Sequence, residues 1–159
     1  MAEKIDTGIA AKDRAAVAQA LSKALADTYA VYQKTHGYHW NVRGPNFSSL
    51  HGLFMEQYTE QWNALDEIAE RIRALGELAP QSASAFGNLT SIKDGDPEKD
   101  WEGMVSDLAA DQATVIATLR DVVELGEKAG DAVSVDLATQ RLTAHEKHAW
   151  MLRATLGSK

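Results

Sequence analysis

Apolar residues recur along this chain at the spacing of a buried helix face. Within residues 12–42, Val17, Leu21 and Leu25 follow one another at intervals of four, which is typical of one face of an α-helix. A Gly-Pro pair at residues 44–45 is expected to end this first helix. The surrounding sequence is rich in Ala, Leu, Gln and Lys, which are good helix formers. The pattern therefore predicts one long helix before the first proline.

The same pattern predicts a second long helix and a connection after it. This helix is expected over residues 48–75, with Ser48 as its cap and Gly76 as its stop. The connection that follows, residues 77–95, is long for a compact domain, which favours a short helix near residues 82–86.

Capping signals place the remaining two long helices. Asp96 as cap and Pro97 at the first helical position predict the start of the third helix, and Gly130 predicts its end. The fourth is expected to begin near Ser134 and to end before Gly157. Four long helices with one long crossover predict an all-α four-helix bundle that resembles the ferritin-like bundles. The whole chain, residues 1–159, is interpreted as one such domain with a flexible N-terminal segment, residues 1–11.

Composition narrows the classes of partner. The formal net charge is −7, there is no cysteine, and no apolar stretch is long enough for a membrane span. The first 14 residues carry balanced charges, so no basic tail is present to bind DNA. Without an export signal the default compartment is the cytoplasm, with nucleoid association as an alternative if DNA is bound. These features favour cations over nucleic acid as partners.

Two carboxylates on the second predicted helix are candidate metal ligands. Asp66 and Glu70 are four residues apart and therefore share a helix face. The ordinary interpretation is a solvated acidic face beside a Glu67–Arg71 ion pair. The functional interpretation is that a cation lies between the two carboxylates.

Two histidines are the complementary candidates. His51 precedes Asp66 by 15 residues, which on an ideal helix is roughly 22 Å along the axis and roughly 60° around it. One ion cannot bind both residues of one continuous helix, because metal–ligand bonds are on the order of 2 Å long. It could bind His51 of one chain and Asp66 of another chain that packs antiparallel across a two-fold axis. His39 could approach His51 because the Gly-Pro turn reverses the chain.

These residues together resemble the ferroxidase-centre signature of the Dps family, the DNA-binding proteins from starved cells. The motif comprises His39-Trp40-Asn41, Gly44, Phe47, His51, Asp66 and Glu70-Arg71, and the similarity extends over nearly the whole chain. The resemblance implies a hollow homo-dodecamer that oxidises Fe(II), preferentially with hydrogen peroxide, and stores ferric mineral. It also implies an iron site between two-fold-related subunits, in which His39 and His51 come from one subunit and Asp66 and Glu70 from the other.

One position departs from the family pattern. Dps proteins commonly have Asp or Glu four residues after the second histidine, where this chain has Met55. A thioether is a poor substitute for a carboxylate at iron, and Glu56 is turned about 100° away on the helix. The site is therefore expected to bind one iron firmly and the second weakly, or to recruit another ligand. His36, three residues before His39, is the candidate; the alternative is an ordinary surface histidine.

Further residues receive roles by resemblance. Trp40 would lie beside the iron and absorb oxidising equivalents. In the family, acidic pores lie near the junction of the last two long helices, where this chain has Glu127, Asp131 and Asp136; these could equally be helix caps. His145 and His148 are interpreted as structural or interfacial, because their spacing is one residue short of a zinc-protease motif. The second and fourth long helices also lack the Glu-x-x-His pairs of an intrachain di-iron site, which argues against an ordinary ferritin.

The sequence is compatible with three functions. The first is an iron-oxidising storage shell that uses His39, His51, Asp66 and Glu70. The second is a DNA-coating protein, against which the neutral N-terminus and negative charge argue. The third is a shell-forming scaffold whose iron site has been weakened by Met55.

Overall fold

The computed structural model describes residues 5–158, and this part of the chain is all-α. Its five helices are α1 Ala11–Asn41, α2 Phe47–Ala74, α3 Ala83–Leu89, α4 Trp101–Ala129 and α5 Ala132–Thr155. The four long helices form a bundle in which α1 packs against α2 and α4, and α5 packs against α4. The predicted bundle with a long crossover is confirmed. No helix of the described part is long and apolar enough to cross a membrane.

The core is formed by two clusters of buried side chains, one toward each end of the bundle. The first includes Leu21, Leu25, Ile68, Ile72 and Leu119. The second includes Tyr38, Leu50, Phe54, Leu108 and Leu152. Fully burying one such side chain contributes about 1.5–3 kcal/mol. Because the second cluster lies under the α1–α2 turn, it holds the end of α1 and the start of α2 in a defined position.

The crossover between α2 and α4 is anchored by one buried carboxylate. Asp27 accepts hydrogen bonds from Thr90 Oγ1 at 2.7 Å, from the Ser91 backbone N–H at 3.0 Å and from Thr118 Oγ1 at 2.7 Å. The predicted short helix is present as α3, and Ser82 is its N-cap. Asp27 therefore ties the crossover to both α1 and α4.

The predicted start of the third long helix is wrong. Asp96 does not cap α4: its side chain accepts a hydrogen bond from the Glu98 N–H at 2.9 Å, and its carbonyl accepts one from the Lys99 N–H at 3.3 Å. These bonds close a local turn. The cap is Asp100, which accepts from the Gly103 N–H at 2.8 Å. An Asp that bonds to its own local backbone competes with helix initiation.

The other ends of the long helices lie within two residues of the predicted positions, but Ser48 is not the cap of α2: it lies inside the helix, and the N-cap is Asn46. Gly130 ends α4 with a φ of 69°, in the left-handed region that glycine tolerates. At the N-terminus, Arg14 Nη1 donates to the Ile9 carbonyl at 2.7 Å, so residue 9 is bonded to α1. Residues 1–4 of the segment predicted to be flexible lie outside the described residues, and its flexibility stays a prediction.

Candidate metal centre

A tight turn brings the two predicted histidine ligands together. Gly44 has a φ of +109°, which an L side chain rarely adopts, and its carbonyl accepts from the Phe47 N–H at 3.1 Å. The chain reverses there, so that His39 near the end of α1 meets His51 in the second turn of α2. Their rings stack with centroids 3.7 Å apart and planes 17° apart. The approach predicted from the Gly-Pro pair is present in the structure.

Hydrogen bonding leaves the same nitrogen free on both rings. His39 Nδ1 lies 2.7 Å from the His51 carbonyl oxygen, and His51 Nδ1 lies 2.8 Å from the His39 carbonyl oxygen. A carbonyl only accepts, so each Nδ1 carries a proton and donates it. In the neutral imidazole the Nε2 lone pair is then free. Metal-binding histidines are commonly oriented in this way, with the other ring nitrogen bonded to a carbonyl.

The predicted carboxylate ligands lie far from these histidines. Asp66 and Glu70 are exposed on α2, and α2 is continuous from Phe47 to Ala74. The distance along the axis from His51 to Asp66 is therefore about 22 Å. Within residues 5–158, no three His, Asp or Glu side chains converge on one potential metal site. Within one chain the structure thus brings together two of the four predicted ligands, His39 and His51.

Large apolar side chains are exposed around the same ligands. Trp40 is 65% exposed, Phe47 42%, Met55 48% and Trp62 55%. On α2 the last three lie on the stripe that also carries His51 and Asp66, since these positions repeat at intervals of three to four residues. A soluble monomer rarely exposes a contiguous apolar patch of this kind. This stripe is therefore a candidate protein–protein interface.

An aromatic cluster, defined here as Tyr32, His36, Trp40 and Tyr58, adjoins His39. The His36 ring stacks on Tyr58 with centroids 3.9 Å apart and lies 4.2 Å from the Trp40 ring. Its Nδ1 is 3.1 Å from the Tyr32 hydroxyl. Burial and the neighbouring His39 lower the pKa of His36, which favours its neutral form. His36 is therefore a cluster member rather than an isolated surface residue; its role as a metal ligand stays a prediction.

The acidic residues predicted to line a pore have different environments. Glu127 and Asp136 are exposed, and their role stays a prediction. Asp131 is only 2% exposed: it caps α5 by accepting from the Ser134 N–H at 3.0 Å and pairs with Arg71 Nη2 at 2.7 Å. Burial raises the pKa of Asp131, but the bonds from Ser134 and Arg71 outweigh it and leave that pKa low. The Asp131 carboxylate already has these partners inside the subunit.

A polar layer lies inside the bundle, and only its histidines, His145 and His148, are identified from the sequence as structural. Arg141 forms a bidentate ion pair with Glu60 at 2.6 and 2.7 Å, and His145 Nδ1 lies 2.6 Å from Gln112 Oε1. Burial is the main cause of the lowered pKa of both His145 and His148, and that of His148 falls to about 4. Scattered buried polar residues have no distinctive sequence period, so no signal predicted that Glu60, Gln112 and Arg141 join these histidines. Its imidazoles and amides differ from the paired carboxylates of an intrachain di-iron site.

The bundle, the crossover helix and the ligand-bearing helices define a ferritin-like protein. A family model described as "Ferritin-like domain" matches residues 18–158. The DNA protection during starvation protein 2 of Bacillus anthracis is 37% identical over 140 residues, which cover 88% of this chain and 96% of that protein. The chain belongs to the Dps family of ferritin-like proteins.

Solved structures agree with this assignment. The Dps protein of Vibrio cholerae O1 superposes with a TM-score of 0.92 at 30% identity and covers 98% of this chain and 99% of its own. The Dps protein of Bacillus brevis superposes with a TM-score of 0.88 at 32% identity, and the superposition covers 91% of this chain and 97% of that protein. The Vibrio cholerae protein is described as a member of a broad superfamily of ferritin-like diiron-carboxylate proteins.

Proposed function

We propose that this chain is a ferroxidase and iron-storage subunit that oxidises Fe(II) with hydrogen peroxide and retains the ferric product in a hollow dodecameric shell. The observation that carries the proposal is the His39–His51 pair, whose reciprocal hydrogen bonds leave both Nε2 atoms free for a metal. Imidazole and carboxylate together are suitable ligands for iron. Membership of a superfamily that includes a diiron-carboxylate relative supports iron as the substrate.

The complete site would be shared between two copies of the chain. If two α2 stripes pack antiparallel across a two-fold axis with His51 opposite Asp66, the axis passes near Tyr58 and Thr59. The same register places Phe47 opposite Glu70 and Met55 opposite Trp62, because each of these pairs has the same sum of residue numbers. The exposed apolar residues are then covered and the separated ligands meet. One self-complementary interface would contain two such sites.

The chemistry follows from this arrangement. Fe(II) would bind the Nε2 atoms of His39 and His51 from one subunit and the carboxylates of Asp66 and Glu70 from the other. The carboxylates compensate part of the charge of Fe(II) and favour the ferric product, which has a higher positive charge. Exposed acidic residues near the α4–α5 junction, Glu127 and Asp136, would attract cations toward the shell.

A complementation experiment tests the shared site. His51→Ala and Asp66→Ala are each expected to abolish fast, peroxide-dependent formation of ferric iron and to leave assembly intact. Glu67→Ala, which removes an exposed neighbouring carboxylate, is the matched control and is expected to keep the wild-type rate. When the two inactive variants are co-assembled at equal amounts, each mixed pair has one intact site, so about one quarter of the activity should return.

Two outcomes would contradict the proposal. No recovery on co-assembly, while each variant still forms shells, would mean that the ligands belong to a single chain. Wild-type oxidation rates in both single variants would mean that these residues do not form the iron site.

DNA binding is the alternative that the name of the Bacillus anthracis relative raises. The net charge of −7 argues against it, because phosphate contacts require clustered cations. We therefore propose that the shell does not bind DNA directly. A gel shift with duplex DNA at low salt should show no complex at micromolar protein; a complex would reverse this conclusion.

A third candidate function, a shell-forming scaffold without iron chemistry, rests on Met55, which stands where a carboxylate ligand is expected. Anaerobic titration with Fe(II) would distinguish the ferroxidase from the scaffold. One or two irons bound per site support the ferroxidase, and no bound iron supports the scaffold.

A further inference from the structure

Two buried glutamines extend the polar layer of the bundle onto α2. Gln57 and Gln61 are 1% and 0% exposed, and neither the amide oxygen nor the amide nitrogen of either side chain has a hydrogen-bond partner among residues 5–158. They are four residues apart and therefore share the buried face of α2. A buried amide without partners is costly, so two such side chains in one layer point to a bound ligand.

The packing of α2 against α5 puts these amides beside the charged part of the layer. The two helices run antiparallel, since the end of α2 pairs with the start of α5. Glu60 of α2 pairs with Arg141 of α5 at 2.6 Å, so the neighbouring Gln61 lies at the level of Arg141. Gln57, one turn away on α2, lies at the level of His145, one turn away on α5. The glutamines, the arginine and the histidine thus occupy one layer.

Hydrogen bonding in this layer leaves donors free. Arg141 only donates, so His145 Nε2, which lies 3.2 Å from Arg141 Nη2, is the acceptor. Burial lowers the pKa of His145, and the nearby charge of Arg141 lowers it further, so the ring is neutral and carries its proton on Nδ1. That proton is donated to Gln112 Oε1 at 2.6 Å. Gln112 Nε2 and Arg141 Nε, which can only donate, have no partner in the described part of the chain.

We propose that the polar layer binds one monatomic anion, such as chloride, through the unpartnered N–H groups of four side chains: Gln57, Gln61, Gln112 and Arg141. A monatomic anion can accept several N–H bonds at once, and Arg141 supplies a positive charge next to it. A cation fits this layer less well, because the carboxylate of Glu60 is already held by Arg141 through two hydrogen bonds. The four binding residues are at most 7% exposed, which favours a small anion over a large oxyanion.

The anion site shares no residue with the candidate metal centre and does not depend on the proposed ferroxidase function. Its four side chains come from α2, α4 and α5, so a bound anion joins three of the four long helices in the middle of the bundle. A ligand that binds only the folded state stabilises it by mass action. Chloride should therefore stabilise the subunit beyond the general effect of ionic strength.

Two measurements on the assembled protein test the site. Wild-type crystals soaked in sodium bromide should show an anomalous peak within hydrogen-bond distance of Gln112 Nε2 and Arg141 Nε. In the second measurement, thermal denaturation is followed at constant ionic strength while sodium chloride replaces sodium gluconate, whose anion is too large for the layer. The wild-type midpoint should rise by about 3–5 °C for each tenfold increase in chloride above its dissociation constant.

Three variants connect the chloride response to the layer. Gln61→Met and Gln57→Met each remove an amide and keep a side chain of similar length, and both should lose most of the response. In gluconate alone they should be at least as stable as the wild type, because a buried amide without partners has been removed. Gln140→Met is the matched control and should keep the wild-type response, because Gln140 is exposed and its amide donates to Asp136.

A bromide map of the wild type without a peak in the layer would overturn the proposal and mean that water alone bonds to these amides. This measurement does not require any variant to fold. A wild-type midpoint that does not change with chloride would also overturn it, as would a full chloride response in both Gln61→Met and Gln57→Met.

Discussion

Replacing Asp131 with alanine should destabilise the subunit far more than removing an ordinary helix cap. Asp131 is 2% exposed and accepts hydrogen bonds from the Ser134 N–H, the Ser134 hydroxyl and Arg71 Nη2. The lost N-cap costs about 1 kcal/mol. The larger effect comes from Arg71, whose side chain is 14% exposed and would lose its charged partner.

The magnitude follows from the burial of this pair. Breaking a buried ion pair by removing one partner costs about 3–5 kcal/mol. Because part of the Arg71 side chain reaches solvent, we expect about 3–4 kcal/mol from the broken ion pair. With about 1 kcal/mol for the lost cap, the total loss for Asp131→Ala is about 4–5 kcal/mol. Asp100→Ala is the matched control. Asp100 caps α4 through the Gly103 N–H but is exposed and forms no ion pair with any of residues 5–158, so its loss should cost about 1 kcal/mol.

Urea denaturation at one fixed subunit concentration would measure both variants, since oligomer stability depends on concentration. A second variant, Arg71→Met combined with Asp131→Ala, removes both charges and should recover part of the stability lost in Asp131→Ala. Equal free energies of unfolding for Asp131→Ala and Asp100→Ala would refute the reasoning. The rate of iron uptake per folded shell should be unchanged in Asp131→Ala, because this carboxylate is held inside the subunit.

Three further predictions follow from the described contacts. The pKa of His148 is lowered from 6.5 to about 4 in the fold, so between these pH values the unfolded chain binds more protons than the folded chain. Stability should therefore fall as the pH drops from 6.5 toward 4, and His148→Gln should weaken the pH dependence of the urea midpoint over that window. Gly126→Ala would place a Cβ 2.8 Å from a Val135 methyl and should destabilise the fold by about 1–3 kcal/mol. Gly37→Ala, whose Cβ would have nothing within 4 Å, should stabilise the fold by up to about 1 kcal/mol. Thermal denaturation should therefore show a lower melting temperature for the first variant and a higher one for the second. Asp27→Ala should detach the crossover and speed amide hydrogen exchange at residues 90–92, without comparable change in α5.

Much of the helix layout could be predicted because its signals are local. Intervals of four residues between Val17, Leu21 and Leu25 depend only on helix geometry, and Gly130 ends α4 as expected. The start of α4 could not be predicted in this way. Asp96 and Asp100 are both good caps, and the choice depends on the local turn that the Asp96 side chain stabilises.

The candidate site could also be predicted only in part from the sequence. The 15-residue interval between His51 and Asp66 is enough to exclude that one iron binds both residues of the same chain, since a continuous helix separates them by about 22 Å. The environments of individual side chains could not be derived from spacing. For Asp131 the sequence left two interpretations open, a pore residue and a helix cap, and the structure shows a buried cap of α5 that pairs with Arg71.

The sequence by itself determined the helical periodicity, the glycine stops and the separation of His51 from Asp66, because each depends on the rise and repeat of a single helix. Tertiary structure alone decided which ring nitrogens of His39 and His51 stay free, and that the His36 ring of α1 stacks on Tyr58 of α2. The physical reason is that hydrogen bonds and desolvation depend on the positions of neighbouring atoms to within a few tenths of an ångström. Those positions are set only when α1 and α2 pack together over the second core cluster.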